Sequence, residues 1–281
     1  MKKDQLINRR RALIAGAAVL GAAGAAGTAR LLTAGQAAEP ARSLPLSGPQ
    51  ASGALKPSAY RLQPLAGYGP MPHSAQLRTL VRDQPFMRVS GRGRTMVLTF
   101  DDGPDPKYTP EILRTLHEYD VHGMFFVCGQ MAADNKDLVA RMADDGHVVG
   151  NHTWSHPLLT KLSRSAIRSE MERTSEVIDD ACGEPPTWFR APYGEWNRAV
   201  YQIGAELGME PLAWTIDTLD WSRPGTRKIV GTVQKEAAPG VVVLQHDAGG
   251  DRSQSVQALR TYLPRLLDAG YHITVPHRRN A

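Results

Sequence analysis

The sequence predicts an α/β fold in which about seven parallel strands form a sheet that is closed, or nearly closed, into a barrel. Two observations lead to this prediction. After residue 84, short apolar runs alternate with longer segments that carry helix start and stop signals. Polar clusters follow five of these runs, where the carboxyl ends of parallel strands would meet. An open, doubly wound sheet fits the same alternation, because the pattern does not report closure.

The candidate strands are seven apolar runs at residues 96–100, 124–127, 147–149, 188–189, 212–216, 241–244 and 271–275. Pro110 suits the first turn of a helix, and Gly146, Gly183, Gly208 and Gly270 are typical of helix ends. About six helices are therefore expected between the strands. Ahead of the first run, "PFMRV" and "RTMVLTF" flank "SGRG", which predicts a short hairpin.

Residues 1–38 are predicted to be an export signal. An arginine cluster precedes an apolar stretch rich in alanine and glycine, and "AGQAA" offers small residues for cleavage. Arg10 and Arg11, followed by Leu13 and Ile14, resemble the twin-arginine type of signal. An uncleaved anchor is the alternative, although the apolar stretch is shorter than the ~20 residues that span a bilayer. We expect an exported bacterial protein, extracellular or associated with the cell envelope, that meets the membrane only during export.

The basic character of the chain comes from this leader. The net charge is +5 at pH 7, and residues 1–38 account for it with six Lys/Arg and one Asp. The rest of the chain is formally neutral, and it contains no nucleotide-phosphate loop or nucleic-acid motif, so no nucleic-acid partner is expected. Residues 39–84 are rich in proline and predict a linker or N-terminal extension. Residues 85–281 are predicted to form one folded, monomeric domain.

The two cysteines leave two interpretations open. Cys128 and Cys182 are compatible with one disulfide in an oxidising compartment, and two buried free thiols fit the sequence equally well. Neither their spacing nor their neighbours indicate a thiolate metal site.

Five polar clusters are expected at one mouth of the barrel: "TFDDGP", "NHTWSH", "RAPYG", "DTLDW" and "HD". His152 and His156 are four residues apart, a spacing that places both imidazoles on one side of a helical turn. Two histidines and a nearby carboxylate make a three-ligand divalent site with open positions. If either Asp101 or Asp102 binds the metal, the other lies close enough to accept a proton from water.

Together, these motifs resemble those of the polysaccharide deacetylases of carbohydrate esterase family four, the NodB-homology group. The resemblance covers about residues 93–277, with the motifs in order. It implies that residues 85–281 form a catalytic domain with a deformed (β/α) barrel. It also implies a metal-dependent hydrolase that removes acetyl groups from sugars, mostly N-acetylglucosamine units of peptidoglycan or chitin-type oligomers.

The resemblance also implies a role for each matching residue. Asp101 would be the general base, paired with Arg190, which holds it ionised. His246 would be the general acid for the leaving amine, tuned by Asp220. The metal ligands would be Asp102, His152 and His156. Tyr193 would bind the substrate through its backbone N–H, and Trp221 and Leu244 would line the pocket for the acetyl group and the sugar.

Three questions stay open from the sequence. The metal is expected to be zinc, with cobalt, nickel and iron as alternatives. The same residues would also serve an O-acetyl esterase that acts on a sugar such as acetylxylan. A carbohydrate-binding protein that keeps the barrel without catalysis is the third interpretation, although each expected catalytic position is occupied in this sequence.

Overall fold

The computed structural model describes residues 79–90 and 93–276, all of which belong to one compact unit. The predicted leader and most of the predicted linker lie outside the described residues, so the boundaries at residues 38 and 84 stay predictions. No helix among the described residues is long and apolar enough to cross a membrane.

The described residues form eight strands, all of which pair in parallel. Seven of them lie along one curled sheet in the order β5-β4-β3-β2-β1-β7-β6, and β8 pairs with β1. This half-barrel confirms the predicted deformed (β/α) barrel. The strands are β1 (Thr95–Asp101), β2 (Met124–Val127), β3 (Val148–Asn151), β4 (Trp188–Phe189), β5 (Glu210–Pro211), β6 (Ile216–Asp217), β7 (Val242–His246) and β8 (His272–Ile273).

Seven α-helices lie between the described strands, one more than the sequence predicted. Pro110 is in the first turn of the first helix, as expected, and Gly183 ends the longest helix with a left-handed φ of 78°. The helices are α1 (Thr109–Glu118), α2 (Gly129–Asp134), α3 (Lys136–Asp144), α4 (Arg164–Cys182), α5 (Arg198–Glu206), α6 (Thr226–Glu236) and α7 (Ser253–Asp268).

The alternation of side chains along β1 separates the core into two layers. Met96, Leu98 and Phe100 are buried in the larger cluster, which contains apolar residues of α1 and α7. Val97, on the opposite face of the strand, packs in a different cluster that contains Phe126 of β2. Because side chains alternate along a strand, Asp101 points to the same side as Val97, at the carboxyl end.

Two predicted elements are wrong. The apolar run 212–216 is not one strand, because the backbone carbonyls of Leu212 and Ala213 accept hydrogen bonds from the buried Arg190 side chain. The chain instead forms two short strands: β5, which ends at Pro211 before this run, and β6, which begins at Ile216, the last residue of the run. The predicted hairpin before β1 does not form either, since Phe86 bridges to Leu212 and Arg88 bridges to Val241.

Both cysteines are free thiols. Cys128 is buried, and its sulfur lies 3.9 Å from the backbone carbonyl oxygen of His152. Cys182, at the end of α4, lies 3.9 Å from the carbonyl oxygen of Val139. Of the two interpretations that the sequence left open, the structure supports free thiols.

Candidate active site

The carboxyl ends of the strands bring the predicted site residues together. Asp101, the last residue of β1, is paired in register with His246, the last residue of β7. His152 directly follows β3, and Arg190 directly follows β4. Asp220 lies in the 3₁₀ turn after β6. Parallel strands thus collect, at one edge of the sheet, residues that are far apart in the sequence.

Asp102, His152 and His156 form a candidate metal site, which we call the metal triad. One potential ligand atom from each residue lies within 4.8 Å of the others. The Nε2 atoms of His152 and His156 are 3.6 Å and 3.3 Å from Asp102 Oδ1. Two imidazole nitrogens and one carboxylate oxygen are typical of catalytic zinc sites, which keep positions open for water and substrate. The metal triad therefore fits a divalent ion.

A hydrogen bond on the far side of the His152 ring prepares it to bind a metal. Nδ1 of His152 lies 2.7 Å from the backbone carbonyl oxygen of Arg190, so Nδ1 carries the proton and donates it. Nε2 then presents its lone pair to the metal triad. Burial lowers the pKa of His152 to about 4. The imidazole is therefore neutral at pH 7, as a metal ligand must be.

The prediction that His152 and His156 share a helical turn is wrong. The two histidines are the first and last residues of an irregular loop after β3. In this loop Thr153 and His156 have left-handed φ angles of 70° and 56°. The Asn151 side chain directs this path, because its Oδ1 accepts a hydrogen bond from the Thr153 N–H at 2.9 Å. The two imidazoles still meet, with ring centroids 5.0 Å apart.

Asp101 is buried and paired with Arg190, as the resemblance implies. Arg190 Nη1 donates to Asp101 Oδ1 at 2.6 Å. The other oxygen, Oδ2, faces the metal triad, 3.7 Å from His152 Nε2. Burial raises the pKa of Asp101 to about 6, and the Arg190 charge opposes that rise. The sequence predicted only the second effect, but a carboxyl with this pKa is still mostly ionised at pH 7 and is well matched to accept a proton.

Arg190 is completely buried, and hydrogen bonds hold its guanidinium in place. Besides Asp101, it donates to Thr99 Oγ1 at 2.8 Å and to the carbonyl oxygens of Leu212 and Ala213 at 3.1 Å and 2.8 Å. Such satisfied donors are what make a buried charge tolerable. The sequence had no signal for Thr99 or for the two carbonyls.

His246 and Asp220 form the second charged pair at the mouth. His246 Nδ1 lies 2.7 Å from Asp220 Oδ1, and the His246 backbone N–H donates to Oδ2 at 2.9 Å. Ser255, a residue of α7 that the sequence analysis missed, donates to Oδ2 at 2.6 Å. Burial lowers the pKa of His246, but the charge and hydrogen bond of Asp220, together with the charges of Asp102 and Asp101, outweigh burial and raise the pKa to about 9. The imidazole is therefore a cation at neutral pH.

The three predicted substrate-binding residues lie around these groups. Tyr193 is half exposed, with a left-handed φ of 62°, and its ring centroid is 4.6 Å from that of His156. Trp221 directly follows Asp220 and is partly buried. Leu244 is buried in β7, two residues before His246, so its side chain points to the same side of the sheet.

Asp247, which the sequence analysis missed, is buried behind the "TFDDGP" turn. Its Oδ2 accepts a hydrogen bond from Thr109 Oγ1 at 2.5 Å, and its N–H donates to the Asp101 carbonyl oxygen at 3.1 Å. A Cβ atom on Gly103 would overlap the Asp247 carboxylate. Position 103 must therefore be glycine because of Asp247, a residue that is distant in sequence. The only feature of the sequence that pointed to Asp247 was its place beside His246 in "LQHD".

Comparisons with known proteins agree with this geometry. A chitooligosaccharide deacetylase of Rhizobium leguminosarum bv. trifolii is 39% identical over 207 residues, which are 70% of this chain and 96% of that protein. A peptidoglycan-N-acetylglucosamine deacetylase of Bacillus cereus is 37% identical over 183 residues, which are 64% of this chain and 66% of that protein. Among solved structures, a pseudoenzyme of carbohydrate esterase family four from Bacillus anthracis has a TM-score of 0.64 and 30% identity, covering 68% of this chain and 66% of that one.

The family model for polysaccharide deacetylase matches residues 88–212, the part of the chain that contains the metal triad, Asp101 and Arg190. From these matches and the arrangement of the site, we conclude that this chain belongs to the polysaccharide deacetylases of carbohydrate esterase family four.

Proposed function

We propose that this protein is an exported, metal-dependent N-deacetylase that removes acetyl groups from N-acetylglucosamine units of a polysaccharide, either peptidoglycan or a chitin-type oligomer. The observation that carries the proposal is the convergence of the metal triad with the Asp101–Arg190 and His246–Asp220 pairs. The names of the relatives support the substrate class, since they describe chitooligosaccharide and peptidoglycan-N-acetylglucosamine deacetylases. The predicted twin-arginine leader supports export.

The fold by itself does not carry this proposal. One of the similar structures is described as a pseudoenzyme, so a barrel of this kind also occurs without activity. The choice of an enzyme over a binding protein depends on the side chains. Here a buried carboxyl with a pKa of about 6 (Asp101), an imidazole with a pKa of about 9 (His246) and the metal triad lie together, and this set supports catalysis over binding alone.

The first proposed step is attack of water on the acetyl carbonyl. A divalent ion held by the metal triad would supply the Lewis acid that polarises this carbonyl. Asp101 is the general base, and because Arg190 binds Oδ1, Oδ2 is the oxygen that takes the proton from water. Tyr193 supplies a backbone N–H that stabilises the negative charge developing on the acetyl oxygen.

The second step is departure of the amine, a poor leaving group that needs a proton. His246 is the general acid, with the Asp220 carboxylate bound to Nδ1, so Nε2 delivers the proton to the sugar nitrogen. Trp221 and Leu244 line the pocket for the acetyl group and the sugar. We propose zinc as the metal, because the donor set of two imidazoles and a carboxylate is typical of catalytic zinc; cobalt, nickel and iron are the alternatives.

Acetate release tests the proposal. The purified protein, stripped of metal and reloaded with zinc or cobalt, is incubated with N-acetylglucosamine oligomers, peptidoglycan fragments and O-acetylated xylan. We expect metal-dependent acetate from an N-acetylated substrate, at a higher kcat/KM than from the xylan. Faster release from the xylan would support an O-acetyl esterase instead. Binding of the oligomers with no acetate from any substrate, although metal is bound, would support the non-catalytic alternative.

A further inference from the structure

The loop that carries two of the three metal-triad residues has an unfavourable backbone. Thr153 and His156 both have left-handed φ angles, and neither is glycine. Each such residue costs on the order of 1–3 kcal/mol, so this conformation persists only where neighbouring groups hold it. The loop, residues 152–156, belongs to no helix or strand. Contacts from outside the loop must therefore hold the position of His156.

Helix α4 supplies these contacts from one side. At the start of the loop, Asn151 Nδ2 donates to the Met171 carbonyl oxygen at 2.7 Å and to Ser175 Oγ at 3.0 Å. In the middle of the loop, the Arg173 guanidinium lies 3.9 Å from the ring centroid of Trp154. These contacts fix the loop as far as Trp154 but do not reach Ser155, the residue directly before His156.

Glu170, one turn earlier on α4, holds the end of the loop through both carboxylate oxygens. The Ser155 backbone N–H donates to Oε2 at 2.8 Å, and the Ser155 hydroxyl donates to Oε1 at 2.9 Å. Hydrogen bonds to an ionised acceptor are about twice as strong as neutral ones. The next residue is His156, whose Nε2 lies 3.3 Å from Asp102 Oδ1. The Glu170 carboxylate therefore fixes the peptide from which this predicted ligand extends.

We propose that Glu170 is a positioning residue that sets the metal affinity of the site by fixing the Ser155–His156 segment. The proposal rests on the proposed function in one respect, since it takes the metal triad as the metal site. It assigns no contact between Glu170 and the metal or the substrate. Groups that orient metal ligands typically change metal affinity 10- to 100-fold when they are replaced.

Glu172 provides a matched control on the same helix. It pairs with Arg168 at 2.9 Å and is partly exposed, so Glu172→Gln removes the same charge without touching the loop. The zinc dissociation constants of the wild type, Glu170→Gln and Glu172→Gln would be measured by competition with a chromophoric chelator. We expect binding about 10- to 100-fold weaker for Glu170→Gln and unchanged for Glu172→Gln. At saturating zinc, kcat of Glu170→Gln should approach the wild-type value.

Ser155→Ala keeps the measurement informative if Glu170→Gln does not fold. It removes only the hydroxyl bond, so it should weaken zinc binding relative to the wild type by less than the ~10- to 100-fold expected for Glu170→Gln, and wild-type zinc affinity in Ser155→Ala would then count against the inference. Where Glu170→Gln does fold, the double variant should lose less than the two single effects combined. Zinc affinity unchanged in Glu170→Gln, or lowered equally in Glu172→Gln, would overturn the inference. A wild-type protein that binds no divalent metal would instead overturn the proposed function.

Discussion

Replacing Asp220 with asparagine should lower the deacetylase activity by a factor that grows as the pH rises above about 6.5. Burial lowers the pKa of His246, and the charge and hydrogen bond of Asp220, with smaller contributions from Asp102 and Asp101, nevertheless hold it at about 9. Without that charge, the pKa should fall to the ordinary value of about 6.5 or below. The sign follows from the role of His246, because a general acid works only while it is protonated.

The size of the effect follows from the two pKa values. At pH 8 about 90% of an imidazole with a pKa of 9 is protonated, against about 3% of one with a pKa of 6.5. The rate of the variant should therefore fall about 30-fold at pH 8 from protonation alone, and this contribution should almost vanish at pH 6.

The assay is the pH profile of kcat/KM for acetate release by both proteins. Its basic limb should lie near pH 9 in the wild type and move down by more than two pH units in Asp220→Asn. Any loss of orientation would lower the whole profile without moving this limb. A basic limb at the same pH in both proteins would show that Asp220 does not tune the catalytic acid.

Three further predictions concern stability and thiol chemistry. Arg190→Met leaves Asp101 buried without its cation, so denaturant unfolding should show a loss of about 3–5 kcal/mol; an unchanged midpoint would contradict the buried pair. Gly103→Ala should destabilise the protein by about 1–3 kcal/mol, because the added Cβ overlaps Asp247. Gly231→Ala adds its Cβ in open space within α6 and should stabilise the protein by about 0.5–1 kcal/mol. Equal changes in unfolding free energy for the two variants would refute this account. Burial raises the pKa values of both cysteine thiols, so a thiol reagent at pH 8 should label them only after the protein is unfolded. If the unfolded protein is not labelled at either cysteine, the two form a disulfide and the prediction is wrong.

Local patterns predicted most of what positions the site. The apolar run 96–100, followed by Asp101, Asp102 and then a glycine and a proline, correctly placed a strand and the turn that leaves it. Because parallel strands end at one edge, the same reasoning brought His152, Arg190 and His246 together without any knowledge of distance. The order of the motifs in the chain was sufficient for this step.

The errors came from interactions between distant residues. The run 212–216 has the composition of a strand, but Arg190 takes two of its backbone carbonyls. The spacing of His152 and His156 suits a helix, but Asn151 and α4 hold the loop in another shape. Glu170 resembles an ordinary solvated helix residue until the fold brings it to Ser155.

The most direct test of the account compares Asp101→Asn with Asp102→Asn. The central claim is that two adjacent aspartates have different roles, with Asp101 as the base and Asp102 as a metal ligand. Bound zinc per protein and acetate released from N-acetylglucosamine oligomers would be measured for both variants. The account predicts that Asp101→Asn keeps its zinc but releases almost no acetate, while Asp102→Asn loses both. Loss of zinc in Asp101→Asn with retention in Asp102→Asn, or wild-type acetate release by Asp101→Asn, would contradict it.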